Sequence, residues 1–249
     1  MVNALILVCD DAGFDCVDRG IRTLVEKTQV PVCADYLIGQ EGAALRAKKM
    51  VDTPLVSVGL HFELSDLTDE ARVLRAIDLK SEGTSLGEQQ EIRLMAQRDA
   101  RTQLALFREA LGRNPAHIST HGNFNTDAHD DVLPWWTELM DELFDGKVPP
   151  MQIAAPYIRH NLFGWNLPGH EHVPLEPDEF GRRLAAHHGC EYIEFVMHPA
   201  LPRDGDQPIG MLFTEQMRVA DLEAAVRIIQ SGVIEKSGFS IVPVSALAF

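Results

Sequence analysis

The sequence predicts an α/β fold, with parallel strands wrapped by helices in a single TIM-barrel-like domain. Three observations carry that expectation. Short apolar runs alternate with helical periodicity along all 249 residues, the pattern of a parallel sheet whose strands are joined by helices. No Gly/Ser linker, composition shift or internal repeat divides the chain, so one domain over residues 1–249 is expected. Asp and His residues stand where apolar runs end, and in α/β barrels the C-terminal strand ends carry the active site.

The first apolar run, Ala4 to Val8, leads into Cys9-Asp10-Asp11 and reads as a buried strand with acids at its end. Val17 to Lys27 reads as a helix, Val30 to Ile38 as a strand, and Glu41 to Lys49 as a helix. The run from Pro54 to His61 is a third strand, followed by a polar loop to about Gly87. Glu88 to Leu111 forms one long helix, with Ile92, Leu104, Phe107 and Leu111 near one face and Gly112 and Pro115 ending it. A short strand, Ala116 to Thr120, leads into His121. Asp130 to Phe144 is expected as a helix, with Trp135 and Trp136 both packing into the core, and Met151 to Ala155 as a strand. Pro156 to Pro177 is rich in Pro, Gly, His and Asn and reads as a long loop. A helix from Asp178 to His188 precedes a strand from Tyr192 to Met197, which runs into His198-Pro199. A helix from Val219 to Ile234 and a strand from Phe239 to Val244 close the chain.

Composition narrows the function. Hydrophobic residues make up 45% of the chain, enough for a sizeable core. The net charge of −15 repels phosphate backbones and anionic lipid, so neither nucleic acid nor a membrane surface is an expected partner. Neutral or cationic small substrates fit better. The four cysteines form no CxxC pair and no disulfide framework, and read as reduced buried thiols. The N-terminus lacks a basic region, and no apolar run approaches the roughly 20 residues of a membrane span. A soluble cytoplasmic protein is expected. A homodimer is compatible with the sequence, which does not fix the oligomeric state.

Four strand ends deliver polar residues: Asp10 and Asp11, His61, His121, and His198. An Asp pair alone is commonly a helix cap, a lone His a structural residue, and a His-Pro a turn. Capping and turn chemistry do not require all four to coincide. An ion with oxygen and nitrogen ligands suits the set.

At these positions the chain also resembles the YdjC-like carbohydrate deacetylases, which include the chitooligosaccharide deacetylases. The resemblance covers nearly the whole chain. It rests on Asp10-Asp11-Ala12-Gly13-Phe14, Asp18-Arg19-Gly20-Ile21 and Val58-Gly59-Leu60-His61. It continues through Glu91-Ile92, Gln103 and Phe107, then His117-Ile118-Ser119-Thr120-His121-Gly122-Asn123, and finally Glu194 to His198-Pro199-Ala200.

The resemblance implies an irregular (β/α) barrel that removes acetyl groups from N-acetylated sugars using one divalent ion. Zinc or magnesium would be the first choice, with manganese, cobalt or nickel compatible. Asp11, His61 and His121 would hold the ion, Asp10 would be the catalytic base, and His198 would be a candidate acid. Three positions depart from the family pattern. Ser119 stands where the family has Asp, Asn123 where it has a further His, and Ala12 where it has an aromatic residue. Asn125 also replaces a polar position of the family. The three ion-holding positions survive, but the shell that orients them is expected to be incomplete, lowering affinity or rate.

Other residues carry weaker signals. Trp165 is a candidate for stacking on a sugar, and Arg159 for meeting a substrate hydroxyl or carboxylate, although a surface ion pair is the commoner use of such an arginine. His170 and His172 read as a solvated loop, and His187-His188 as a helix end. His117 is expected to turn away from its strand neighbours, either orienting a ligand or packing internally. Two alternatives to deacetylation stay open from sequence: ester or phosphate-ester hydrolysis on the same barrel, and sugar binding without catalysis.

Overall fold

The computed structural model describes residues 3–64, 86–121, 132–149, 161–163, 165–166, 173–187, 189–190, 192–203 and 214–247. Strand β1 (Asn3–Ala12) is the centre of a parallel sheet. Around it lie β2 (Val32–Tyr36), β3 (Val56–Phe62) and β4 (Ile118–Thr120) on one side. On the other lie β5 (Asn161–Phe163) and β8 (Tyr192–Met197), giving the order β4-β3-β2-β1-β8-β5. One edge of β1 pairs with β8 over Ala4 to Cys9. Its other edge is shared: Asn3 to Leu5 pair with β9 (Phe239–Ile241), and Val8 to Ala12 with β2. Among the described residues no strand joins β4 to β5, so the sheet curls as a half-barrel. A separate two-stranded antiparallel ladder pairs β6 (Trp165–Asn166) with β7 (Val173–Pro174).

The central strands are buried on both faces, which is why β1 and β2 read as continuous apolar runs rather than alternating ones. Helices α1 (Asp15–Thr28), α2 (Ala43–Val51), α3 (Leu86–Leu111), α4 (Pro134–Phe144), α5 (Pro177–Ala186), α6 (Glu215–Gln230) and the short α7 (Val233–Lys236) surround the sheet. On α3 the buried stripe is Ala96, Ala100, Leu104 and Phe107, spaced by three or four residues, with Ile92 and Leu111 half-buried beside it. The same helix clamps the end of β3. The Gln103 amide donates to the Glu63 carbonyl at 2.5 Å, and its oxygen accepts from the Glu63 N–H at 3.0 Å. Glu63 is two residues past His61, so this clamp fixes the backbone that presents that histidine.

Several element boundaries differ from the sequence expectation. Helix α4 begins at Pro134, with residues 132 and 133 outside it, because proline is preorganised for the first helical position. Helix α6 begins four residues early, at Glu215, where the Thr214 hydroxyl accepts the Met217 N–H. It stops at Gln230 because Gly232 takes a left-handed φ of 69° and starts α7. Strand β9 ends at Ile241, and Val244 belongs to a 3₁₀ turn after Pro243. The stretch expected as one loop, residues 156–177, contains β5, β6 and β7, strands of two or three residues that are too short to leave a periodic signal. The strand expected over Met151 to Ala155 lies outside the described residues. Trp136 is fully buried and Trp135 half-buried against the same core, edge-on to each other with ring centroids 5.9 Å apart. No described helix is long and apolar enough to cross a membrane.

Candidate metal centre

Successive side chains on a strand normally point to opposite faces. Asp10 and Asp11 escape this rule. Between Cys9 and Ala12 the register of β1 against β2 slips, so three steps along β1 match two along β2. Asp11 sits in this bulge with φ of 59°, a left-handed conformation rare for a residue with a side chain and costing about 1–2 kcal/mol. Bulges re-aim side chains in this way next to functional sites. Both carboxylates thereby reach the same cluster at the C-terminal end of the sheet.

Asp11 is the hub. Its Oδ1 lies 2.9 Å from His121 Nδ1 and 3.5 Å from His61 Nε2. Its Oδ2 accepts from Arg218 Nη2 at 2.6 Å. The two imidazoles stand perpendicular, with centroids 5.3 Å apart. Atoms of Asp11, His61 and His121 that could hold an ion all fall within 4.8 Å of one another. Asp10, Asp35 and His61 form a second such group. The oxygens of Asp35, however, already accept from His117 Nε2 and from the Ser119 hydroxyl, so that group is assigned to hydrogen bonding. His198 Nε2 is 3.9 Å from Oδ2 of both Asp10 and Asp11, and its backbone N–H donates to Asp221 at 2.5 Å.

Two glycines make this geometry feasible. A Cβ on Gly59 would stand 2.3 Å from His117 Nε2. Gly59 pairs in register with Asp35, so its missing side chain is the gap through which His117 crosses β3 to reach β2. A Cβ on Gly20 would lie 2.7 Å from the Ala200 Cα. Its absence lets the segment after β8, which carries His198, lie against α1.

The electrostatics follow from burial and close charges. Burial works against a charged Asp11, but His121 and Arg218 outweigh it and hold the carboxyl well below the usual range. Burial also disfavours charge on His61. The carboxylates of Asp10, Asp11 and Asp35 overcome this and lift it to about 9. For His117 the same contest is won by Asp35, which holds the imidazole well above its ordinary value. His198 goes the other way: burial depresses it far below normal, helped by Arg218, His61 and His121 against the pull of Asp11. Burial pushes Asp221 up to about 7 despite its bond to the His198 N–H.

The donor set fits a divalent ion. One carboxylate and two imidazoles converge, and a three-ligand set of this kind leaves positions open for water and substrate. Around it, Asp10, Asp11 and Asp35 face the cations His61, His117 and Arg218, and once His61 gives up its proton the acids outnumber the remaining cations by one, which an added cation balances. One pH dependence follows. A ligating His61 nitrogen must be unprotonated, yet without an ion His61 keeps its proton up to about pH 9. Binding then displaces that proton, and affinity should fall about tenfold per pH unit as pH drops below 9. Calorimetry at pH 7.5 in buffers of different ionisation heat should count about one proton released per ion. No release would mean that His61 does not ligate.

The structure brings together five of the residues selected from sequence: Asp10, Asp11, His61, His121 and His198. Trp165 lies in β6, and Arg159, Asn123, Asn125, His170 and His172 lie outside the described residues. Sequence reasoning missed Asp35, Arg218 and Asp221. Asp35 carried a usable signal, a charged residue inside the apolar strand Val32–Tyr36. Arg218 and Asp221, three residues apart on a helix, looked like ordinary surface charges, yet both are 1% exposed. At Ser119, one of the positions where the shell was expected to be incomplete, the His61 ring still has a partner. Ser119 Oγ sits 2.5 Å from His61 Nδ1 and donates to the Asp35 carboxylate.

Comparison with known proteins agrees with this architecture. The family model described as YdjC-like protein matches residues 4–227. None of the curated proteins matches. Among solved structures, an Enterococcus faecalis protein provisionally named for cellobiose-phosphate cleavage is 16% identical, with a TM-score of 0.68 over 100% of both chains. The catalytic domain of a peptidoglycan N-acetylglucosamine deacetylase from Eubacterium rectale is 11% identical, with a TM-score of 0.55 over 98% of this chain and 89% of that one. A family 4 acetyl xylan esterase from Clostridium thermocellum, in complex with a cobalt ion, is 14% identical, with a TM-score of 0.52 over the same shares. At these identities the likeness establishes the fold, an irregular (β/α) barrel, and the match over residues 4–227 establishes the kinship: the chain belongs to the YdjC-like family.

Proposed function

We propose that this protein is a metal-dependent hydrolase that removes acetyl groups from N-acetylated sugars. The observation that carries the reading is the convergence of Asp11, His61 and His121 within 4.8 Å at the strand ends, with Asp10 and His198 beside them. Structural neighbours named as an N-acetylglucosamine deacetylase and an acetyl xylan esterase support the substrate class. A bound divalent ion, zinc or magnesium first among the candidates, would polarise the acetyl carbonyl and acidify a water.

The chain's own residues supply the rest. Asp10 accepts the proton of the attacking water. His198, 3.9 Å away, starts neutral because its pKa is depressed. It relays the proton from Asp10 to the departing amine, holding it only in passing because burial disfavours its charged form. Arg218 holds one oxygen of Asp11, leaving the other turned towards the two histidines. The net charge of −15 favours a neutral sugar over a phosphorylated one.

The test is to purify the chain without chelator, measure its metal, and offer it chitooligosaccharides and nitrophenyl phosphate. Acetate release that stops on chelation and returns with metal is expected. Phosphate release instead would reassign the chemistry to ester hydrolysis. A chain that neither carries nor accepts metal would leave sugar binding as the function.

A further inference from the structure

We infer that Asp35, acting through Ser119, is the carboxylate that sets the tautomer and orientation of His61. It takes over, from a different strand, the role of the Asp that the family resemblance places at position 119. The inference rests on the metal-hydrolase reading of the site and deepens it.

The argument is one of proton counting. A serine hydroxyl has one proton to give. Ser119 gives its proton to Asp35 Oδ2. It can therefore only accept from its other neighbour, His61 Nδ1, 2.5 Å away. His61 must then carry hydrogen on Nδ1 in its neutral form, so the proton it gives up is the one on Nε2, 3.5 Å from Asp11, where an ion would be held. A ligating imidazole whose other nitrogen is tied to a carboxylate is the usual device for fixing a metal histidine. Here the tie runs through a hydroxyl. All three groups are buried, with Asp35 fully so, and no water is needed to complete the chain.

The second oxygen of Asp35 is held by His117, which reaches it over Gly59. That contact pins the carboxylate so that it cannot turn away from Ser119. The register explains why the exchange is geometrically open. Ser119 on β4 is level with His61 on β3, and Asp35 on β2 is level with Gly59. A carboxylate on β2 therefore reaches diagonally across the one position of β3 that has no side chain.

Three variants test the inference: Ser119→Ala, Asp35→Asn, and Asp35→Ala combined with Ser119→Asp. Zinc affinity is read by competition with a fluorescent chelator. Folding is read by circular dichroism. The protonated nitrogen of His61 is read by long-range ¹H–¹⁵N correlation of metal-free protein above pH 9.5. Ser119→Ala is expected to fold, to lose about 10- to 100-fold in zinc affinity, and to lose the uniform Nδ1–H form. The double variant is expected to regain affinity to within about threefold, since it returns a carboxylate directly to His61. Wild-type affinity in folded Ser119→Ala, or a His61 protonated on Nε2 in the unaltered chain, overturns the inference. If the unaltered chain binds no zinc, the metal reading of the site fails, while the nitrogen correlation still decides whether Ser119 and Asp35 hold the ring. Should Asp35→Asn or the double variant fail to fold because His117 loses its partner, Ser119→Ala and the nitrogen correlation of the unaltered chain carry the test.

Discussion

Asp10→Asn is expected to remove nearly all turnover, a loss of about 10²–10⁴-fold, while the chain still folds and still binds about one ion. Asparagine keeps the size and shape of the side chain, so the bulge after Cys9 is undisturbed. What it loses is the ability to accept a proton from water. Asp10 is outside the Asp11, His61 and His121 group, so ion binding should be weakened only by the loss of one nearby negative charge. Acetate release and metal content, measured on the same preparation, separate the two effects. If Asp10→Asn keeps most of its activity, the base is another group, and His198, within 3.9 Å of both acids, is the next candidate.

The second large effect is on stability. Gly59→Ala places a methyl group 2.3 Å from the His117 ring nitrogen that bonds Asp35. Neither side can yield cheaply, because β3 is held in register by β2 and β4. His117 must leave Asp35. A buried carboxylate then loses its counter-ion, and breaking a pair of this kind costs about 3–5 kcal/mol. Domains are stable by only about 5–15 kcal/mol, so the midpoint of thermal unfolding should fall by roughly 6–20 °C. Thermal melts of metal-free protein check this. A melting temperature unchanged by Gly59→Ala would mean that the ring does not cross β3 at that point.

The legibility of the site had a physical cause. Asp11, His61, His121 and His198 could be found because each follows an apolar run, and strand ends in a parallel sheet converge by topology alone. Their spacing of dozens of residues conveys nothing without that rule. Asp35 stood inside an apolar strand, and its partner His117 lies 82 residues away. Local periodicity cannot pair residues at that separation. Arg218 was hidden for a related reason: on a helix whose other face is charged, an arginine appears solvated until the fold shows that its head is buried on Asp11.

The sequence by itself determined the alternation of strands and helices, the identity of the residues at the rim, and the net charge of −15. These depend on residue type, order and total charge, which are properties of the chain before it folds. Only the tertiary structure decided how the rim residues are oriented. The bulge turns Asp10 and Asp11 into one cluster, Gly59 opens a path between strands, and Ser119 hands His61 on to Asp35. Those outcomes depend on backbone register and on contacts shorter than 3 Å between residues far apart in the chain, quantities that exist only once the chain has folded.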